Sequence, residues 1–356
     1  MNDEKNEVEK MLIENGKLVD RAIEKYIPRK YDKKNIIFTL EKPRYEYNID
    51  STNKAISEPI WNLLDRGGKR WRPTLLLLVC ESLGGNIKKY FDLVVIPEVI
   101  HNGTLIVDDI EDGSELRRGK PCTHKIFGTD IAINAGNAMY FLPLLVLLRN
   151  NYPFKEKAYD IIMQEMINVS FGQAMDIAWH NSLADADNLS EAEYLQMCAY
   201  KTGCLARMAS KLGAVAAGAD EKIIEKMGAL GESIGVLFQI QDDVLNLVGE
   251  RFQKGKGVGE DITEGKRTLI VIHALQKANE KDRKRLLNIL KAHTKDDKLI
   301  REAIDIMQKY GSIDYAKDFA RNMVNSAWKE ADKILKDSPA KKKLYSLVKF
   351  SAEREI

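Results

Sequence analysis

Leu105–Gly119 reads LIVDDIEDGSELRRG, an apolar run that meets five acids and then two arginines. On a helix advancing about 100° per residue, Asp112 lies about 40° from Asp108, whereas Asp109 lies about 100° away. Asp108 and Asp112 therefore share one face, with Cβ atoms about 5–6 Å apart. Carboxylates that close repel by roughly 0.2–0.5 kcal/mol on an exposed helix, and by more where water is excluded. A solvated helix end relieves the repulsion, and so does a hard divalent cation with oxygen ligands. An EF-hand loop does not fit, because its third position would be Ile110 and its twelfth Gly119.

A second acidic cluster favours the cation. Leu237–Glu250 reads LFQIQDDVLNLVGE, with Asp242 and Asp243 inside another apolar helix, Gln239 before them and Asn246 four residues after Asp242. An acidic pair among apolar residues is costly unless it has partners. Two such helices facing each other across a bundle would hold several Mg²⁺ ions, an ion that keeps water and phosphate oxygens in its shell. The bases supply the complement. RGGKRWRP (Arg66–Pro73) carries Lys69, Arg70 and Arg72; Arg117 and Arg118 follow the first cluster. YKTG carries Lys201 and Thr202, and KGKGVGEDITEGKRTL (Lys254–Leu269) carries Lys256 and Lys266. GKGVG lacks the G-x-x-x-x-G-K-[ST] form of a Walker loop. Taken together, however, arginines and lysines flanking both acidic sites suit the oxygens of a diphosphate.

The rest of the chain predicts an all-α protein. Its 356 residues are 44% hydrophobic and 30% charged, with a net charge of +2 that gives no reason to expect nucleic acid as a partner. The four cysteines, Cys80, Cys122, Cys198 and Cys204, form no C-x-x-C pair, which suits a reduced, cytoplasmic protein. The N-terminus has no apolar signal region, and the runs Thr74–Cys80 and Tyr140–Leu148 fall short of the ~20 residues of a transmembrane span. Helical periodicity dominates and strand signals are scarce. Residues 1–50 read as an amphipathic helix, with Val8, Met11, Leu12, Leu18 and Ile23 on its apolar stripe, followed by a connecting arm. The arm holds a strand-like run, NIIFTL (Asn35–Leu40). Residues 51–356 read as a single large helical domain. Ser190 with Glu193 predicts a capping-box helix start. Ile131–Leu148 and Leu205–Ala217, apolar almost all round, are expected inside the bundle.

DDIED at Asp108–Asp112 resembles the first D-D-x-x-D motif of the trans-prenyl diphosphate synthases. GGKRWRP, HNGTLIVDDIEDGSELRRGKPCTHKIFG, GQAMDIAW, KTG, FQIQDDVLN and EDITEGKRTL stand in that family's order, so the resemblance runs from about residue 50 to the end. HNGTLIVDDIEDGSELRRG with INAGNAMYF is most similar to geranylgeranyl diphosphate synthases of the eukaryotic type. One departure is Asn246, where most relatives carry a third aspartate. The resemblance implies the isoprenoid synthase bundle with a central active-site cavity. It also implies a Mg²⁺-dependent transferase, with three ions per site, that condenses isopentenyl diphosphate head-to-tail with dimethylallyl, geranyl or farnesyl diphosphate in isoprenoid lipid biosynthesis. By the same resemblance Asp108, Asp112 and Asp242 are metal ligands, with Asp109 and Asp243 as outer partners. Arg117, Lys201, Lys256 and Lys266 clamp the allylic diphosphate, with Gln239 nearby and Thr202 lending a hydroxyl. Lys69, Arg72, His101 and Arg118 bind isopentenyl diphosphate. His180 is a polar helix end and not a catalytic residue. A homodimer is expected.

Product length follows from the same comparison. Gly103 and Thr104 lie one turn before Asp108, where relatives that stop at farnesyl diphosphate carry a bulky aromatic. Both are small here, which opens that gate. Tyr140 and Phe141 resemble the tunnel floor of the geranylgeranyl type, and Ser170 stands where that floor often has a histidine. Geranylgeranyl diphosphate is the expected product, with farnesyl or longer products as the alternatives. A class I terpene cyclase would not need a second diphosphate site, and a non-catalytic subunit of a heteromeric synthase would not need to keep these acids and bases.

Overall fold

A computed structural model describes residues 2–248 and 259–352 of the chain. The fold is all-α; among the described residues the only strands are Leu116–Arg117 and Lys120–Pro121, paired antiparallel. The helices form two compact units. One comprises Met1–Asp160, Leu212–Ala219 and Ser338–Lys341; the other comprises Ile161–Lys211, Asp220–Asp337 and Lys342–Ile356. The division does not fall at residue 50: the N-terminal helix belongs to the same unit as the residues that follow it.

In the first unit, helix α1 (Asn2–Tyr26) buries Val8, Leu12, Val19 and Ile23. The strand-like run that follows is helical instead, over Lys33–Leu40. Asp32 starts that helix by accepting from the Asn35 amide at 2.7 Å, while the Asn35 side chain accepts from the Asp32 amide. This local capping outweighs the β propensity of a segment in which only Ile36 is buried. Helix α2 (Trp71–Ser82) is buried on nearly every side. Helix α3 (Val95–Glu111) buries Val95, Ile96, Val99, Ile100, Gly103 and Ile106 at helical spacing and ends in the acidic cluster.

Helix α4 (Thr129–Phe141) corrects an expectation. It buries Ala132, Ala135, Gly136 and Met139 but leaves Phe141 67% exposed. Small residues, with Met139, face α3 and let the two backbones approach closely, while Ile133 and Phe141 are left exposed. A Cβ on Gly103 would stand 2.8 Å from the Met139 Cβ and 3.0 Å from the Gly136 carbonyl oxygen. Two stretches, Ile87–Glu111 and Thr129–Leu148, are long and apolar enough by length and composition to cross a membrane. The first is mostly buried and carries Glu98, Asp108 and Asp109, as a core helix of a folded unit does.

The second unit holds most of α5 (Lys155–His180), then α6 (Glu191–Cys198), which begins with the Ser190–Glu193 capping box. A single π-helical turn, Ala199–Gly203, joins α6 to α7 (Cys204–Ala216), whose Leu205, Ala206, Met208 and Ala209 are buried as expected. Helix α8 (Glu221–Val248) packs on the π turn and on α10 (Ser312–Asp332), and α9 (Leu269–Lys277) also packs on α10. All four cysteines are buried and free.

The crossing of α3 and α4 generates a stability prediction. Gly103→Ala should destabilise the fold by about 1–3 kcal/mol, because its methyl meets backbone and a Cβ that cannot rotate away. A melting temperature equal to that of the unsubstituted protein would show that the crossing has slack.

Candidate active site

The first unit builds a cationic site around His101. Burial and then the neighbouring charges of Arg72, Arg118, Arg70 and Arg117 hold its imidazole well below the ordinary histidine range, so it is neutral near pH 7. Lys69, Arg72, His101 and Arg118 come from three separate segments. Arg72 is the second residue of α2, His101 lies on α3, and Arg118 lies in the turn between the two short strands. Arg118 has a left-handed backbone, φ 53°, followed by Gly119 at 74°, which closes a tight two-residue hairpin. Its guanidinium donates to the Gly67 carbonyl, and Arg66 donates to the Arg117 carbonyl at 3.0 Å. The hairpin and the Gly67–Arg72 loop are thereby tied together.

The DDIED cluster divides its tasks by depth. Asp109 is buried and accepts from Arg117 Nε at 2.7 Å and from its Nη2 at 2.5 Å. Burial pulls the Arg117 charge down, but the hydrogen bond and charge of Asp109 more than offset it, and Arg117 stays firmly protonated. Asp108 is part-exposed, 3.7 Å from the same guanidinium, and Asp112 forms the C-cap of α3 with its amide on the Asp108 carbonyl at 2.9 Å. Asp108 and Asp112 thus keep the shared helical face the spacing predicts. Among the described residues, no three His, Cys, Asp or Glu side chains converge closely enough to hold an ion by themselves. The donors available are nonetheless all carboxylate oxygens, and an acceptor-only set of few carboxylates fits Mg²⁺, which takes its remaining ligands from water and phosphate.

The second unit builds a different site around the π turn. Lys201 Nζ lies 2.5 Å from Asp176 Oδ2 of α5. Thr202 donates to Gln239 at 2.8 Å, Gln239 donates to Asp243 at 2.9 Å, and Tyr194 donates to the other oxygen of Asp243 at 2.6 Å. Burial, with the nearby Asp261 charge, pushes the Asp243 carboxyl up, and that of Asp261 is raised in the same way. Asp242 is the exposed member of the pair. The π turn is held tightly: a Cβ on Gly172 would stand 2.2 Å from the Lys201 amide nitrogen, and one on Gly235 would stand 2.7 Å from the Gly203 Cα. Lys266 reaches Glu264 at 2.5 Å and Asp261 at 3.6 Å. Asp176, Tyr194, Lys201, Gln239, Asp243 and Lys266 line one cavity.

Several residues here had no role in the sequence reading. Asp176 holds Lys201, and the only signal for it was an acid within the otherwise apolar MDIAW run. Asn246 accepts from the Asp261 amide at 3.2 Å through its side chain and from the Gly259 amide at 3.1 Å through its backbone. Its amide oxygen therefore holds the segment that carries Asp261 and Lys266. Lys256 lies outside the described residues. Of the chain-length residues, Tyr140 is half-buried, and burial, with Glu111 and Asp108 nearby, raises its phenol. Its ring edge would be 3.2 Å from a Cβ on Gly103. Thr104 is half-buried and donates to the His101 carbonyl at 2.8 Å. Phe141 and Ser170 are exposed in the single chain, and Ser170 bonds back to the Met166 carbonyl of its own helix. Neither lines an interior wall of its unit. His180 is the last residue of α5, as a polar helix end.

Comparison with known proteins places the chain in a family. The polyprenyl synthetase family model matches residues 53–307. A short chain isoprenyl diphosphate synthase of Methanothermobacter thermautotrophicus is 36% identical over 307 residues, covering 86% of this chain and 92% of its own. A geranylgeranyl diphosphate synthase of Saccharolobus solfataricus is 33% identical over 315 residues, covering 86% and 92%. The crystal structure of geranylgeranyl pyrophosphate synthetase from Pyrococcus horikoshii superposes with a TM-score of 0.83 at 33% identity, covering 98% of this chain and 99% of that one. The chain belongs to the polyprenyl synthetase family and is a trans-prenyltransferase with the all-α isoprenoid synthase fold.

Proposed function

We propose that the protein condenses isopentenyl diphosphate with an allylic diphosphate and releases geranylgeranyl diphosphate and inorganic diphosphate. The observation that carries this reading is the presence of two separate cation sets, one in each unit. Arg72 and Arg118 gather around neutral His101, with Lys69 on the loop that leads into Arg72, while Lys201 and Lys266 line the cavity with Gln239. Two cation sets call for two diphosphates, which a condensation needs and a cyclase does not.

Lys69, Arg72, His101 and Arg118 bind isopentenyl diphosphate, with the imidazole as a neutral hydrogen-bonding partner. Lys201 and Lys266, with Lys256, hold the allylic diphosphate, and Thr202 and Gln239 orient it. Asp108 and Asp112 in the first unit and Asp242 in the second would hold Mg²⁺, which when bound would offset the charge developing on the leaving diphosphate. The allylic C–O bond breaks with its electron pair going to diphosphate. The double bond of isopentenyl diphosphate attacks the allylic carbon, and loss of a proton to the departing diphosphate restores an alkene. The fixed cations favour the departing diphosphate more than the bound substrate, which is where their catalytic value lies. Burial of Asp109 under Arg117 and of Asp243 under Tyr194 keeps those supports away from bulk water.

Two further features support the reading. Met163, Ile167 and Phe171 form an exposed apolar stripe on α5 at four-residue spacing, 50%, 50% and 66% exposed, which supports a homodimer. Four free, buried cysteines suit a cytoplasmic enzyme.

Three outcomes are expected. Excess chelator should abolish diphosphate release and added Mg²⁺ should restore it. Asp108→Ala or Asp242→Ala should lower kcat by about a thousandfold or more with helicity intact; undiminished turnover in chelator would count against a metal. Arg72→Ala should raise KM for isopentenyl diphosphate and Lys201→Ala that for the allylic diphosphate, each by roughly 10–100-fold, the effect of one charge-assisted contact. If both variants move only the allylic KM, the two assignments are wrong. Chain-length analysis of the product should give mainly geranylgeranyl diphosphate, shortened to farnesyl diphosphate by Thr104→Phe and lengthened by Tyr140→Ala. Thr104 is the better gate to fill, since Gly103 has no room beside α4. An unchanged product profile in both variants would place the hydrocarbon elsewhere.

A further inference from the structure

We infer that α1 is a strap that sets the shape of the diphosphate-binding loop Gly67–Arg72, with Asp20 as a positioning residue acting through Arg70. The inference rests on the assignment of that loop to a diphosphate, as proposed above.

The loop has an unusual backbone. Gly67 and Gly68 have φ of 81° and 140°, and Arg70, which is not glycine, stands at 48° in the left-handed region. A side-chain-bearing residue stays there only where its surroundings over-determine it. Arg70 meets that condition. It is buried, and every part of its guanidinium is engaged: Nε with Asp20 Oδ1 at 3.0 Å, Nη1 with Glu98 Oε1 at 2.7 Å, and Nη2 with the Leu64 carbonyl at 3.0 Å. Glu98 is itself buried and also accepts from Asn102 at 2.8 Å. One face of α1 is shaped to this side chain. Gly16 and Asp20 are four residues apart on that face; a Cβ on Gly16 would stand 3.4 Å from Arg70 Cγ. The neighbouring Asn15 donates to Thr74, two residues beyond Arg72, at 3.4 Å.

The electrostatics explain why a strap is needed. A Cβ on Gly68 would lie 3.1 Å from Arg118 Nη2 and 3.3 Å from Arg70 Nη1, so two guanidiniums flank one glycine. Burial, and then the charge of Arg70, already lowers the pKa of Arg118. Asp20 and Glu98 turn Arg70 away as the neutralised member of the group. Lys69, immediately before it, and Arg72, two residues after it, then take their positions from a fixed residue between them. Asp20 is 46% exposed at its side chain, so its loss does not empty the core.

The test is steady-state kinetics on the full chain with Asp20→Ala, Asp20→Glu and Arg72→Ala, varying each diphosphate in turn, together with the melting temperature. Asp20→Ala should raise the same KM that Arg72→Ala raises, by about fivefold, less than direct loss of a charge-assisted contact would produce. The other KM and kcat should stay within about twofold, and Asp20→Glu should restore most of the affinity. If that shared KM is the allylic one, the strap stands and the assignment of the loop to isopentenyl diphosphate fails. If Asp20→Ala leaves the KM altered by Arg72→Ala unchanged, or moves both KM values in step with a fall in melting temperature, α1 is ordinary scaffold and the inference is overturned.

Discussion

Cations gathered closely together repel one another, and the candidate site is organised around containing that repulsion. The chain does so with carboxylates placed behind the cations. Arg70 rests on Glu98 and Asp20, Arg117 on Asp109, Lys201 on Asp176, and Lys266 on Glu264. Glu98, Asp109 and Asp176 are buried, so these contacts are little screened by solvent and fix the direction of each positive group. A site whose charges already point the right way reorganises little when charge develops on a leaving group. His101 adds to this by remaining neutral, since a fifth positive charge among four arginines would raise the cost of the whole cluster.

The supporting helices are spaced to match. Where a functional segment must lie against a helix, the helix carries glycine: Gly172 and Gly235 leave room for the π turn, and Gly103 with Gly136 lets α3 and α4 close. The π turn presents Lys201 and Thr202 as successive residues to two different partners, Asp176 on α5 and Gln239 on α8. Local irregularity of this kind is tolerated where both flanking helices are firmly packed, as α6 and α7 are.

Much of this could be read from residue types and spacing. The helical class follows from periodicity, and the chemistry-bearing residues stand out because acids and arginines in apolar runs need a reason. The partners could not be read, because they lie far along the chain. Arg70 meets Asp20 from 50 residues away, and Lys201 meets Asp176 from 25. No local pattern links them. The NIIFTL segment misled because its β-branched residues are hardly buried, so a capping pair decides its conformation. The exposed face of α4 was hidden because a window of apolar residues does not reveal that the small ones pack inward. Phe141 and Ser170 were assigned from resemblance to relatives, and their surroundings in the single chain are solvent.

The cysteines, four free and buried thiols, give the fold a property of their own. Burial pushes Cys80 and Cys122 up to about 12, with Glu81 and Asp109 adding to it respectively, and Cys198 is raised well above the ordinary thiol range by burial and then Asp243. A thiol held that far from its thiolate is nearly inert to alkylating reagents. Cys80 and Cys122 belong to one compact unit, Cys198 and Cys204 to the other. Each half of the molecule thus carries its own native chemical clocks, silent while the fold is closed and reactive only when that half opens. Pulse alkylation followed by mass spectrometry would time the breathing of the two halves separately, without any engineered label.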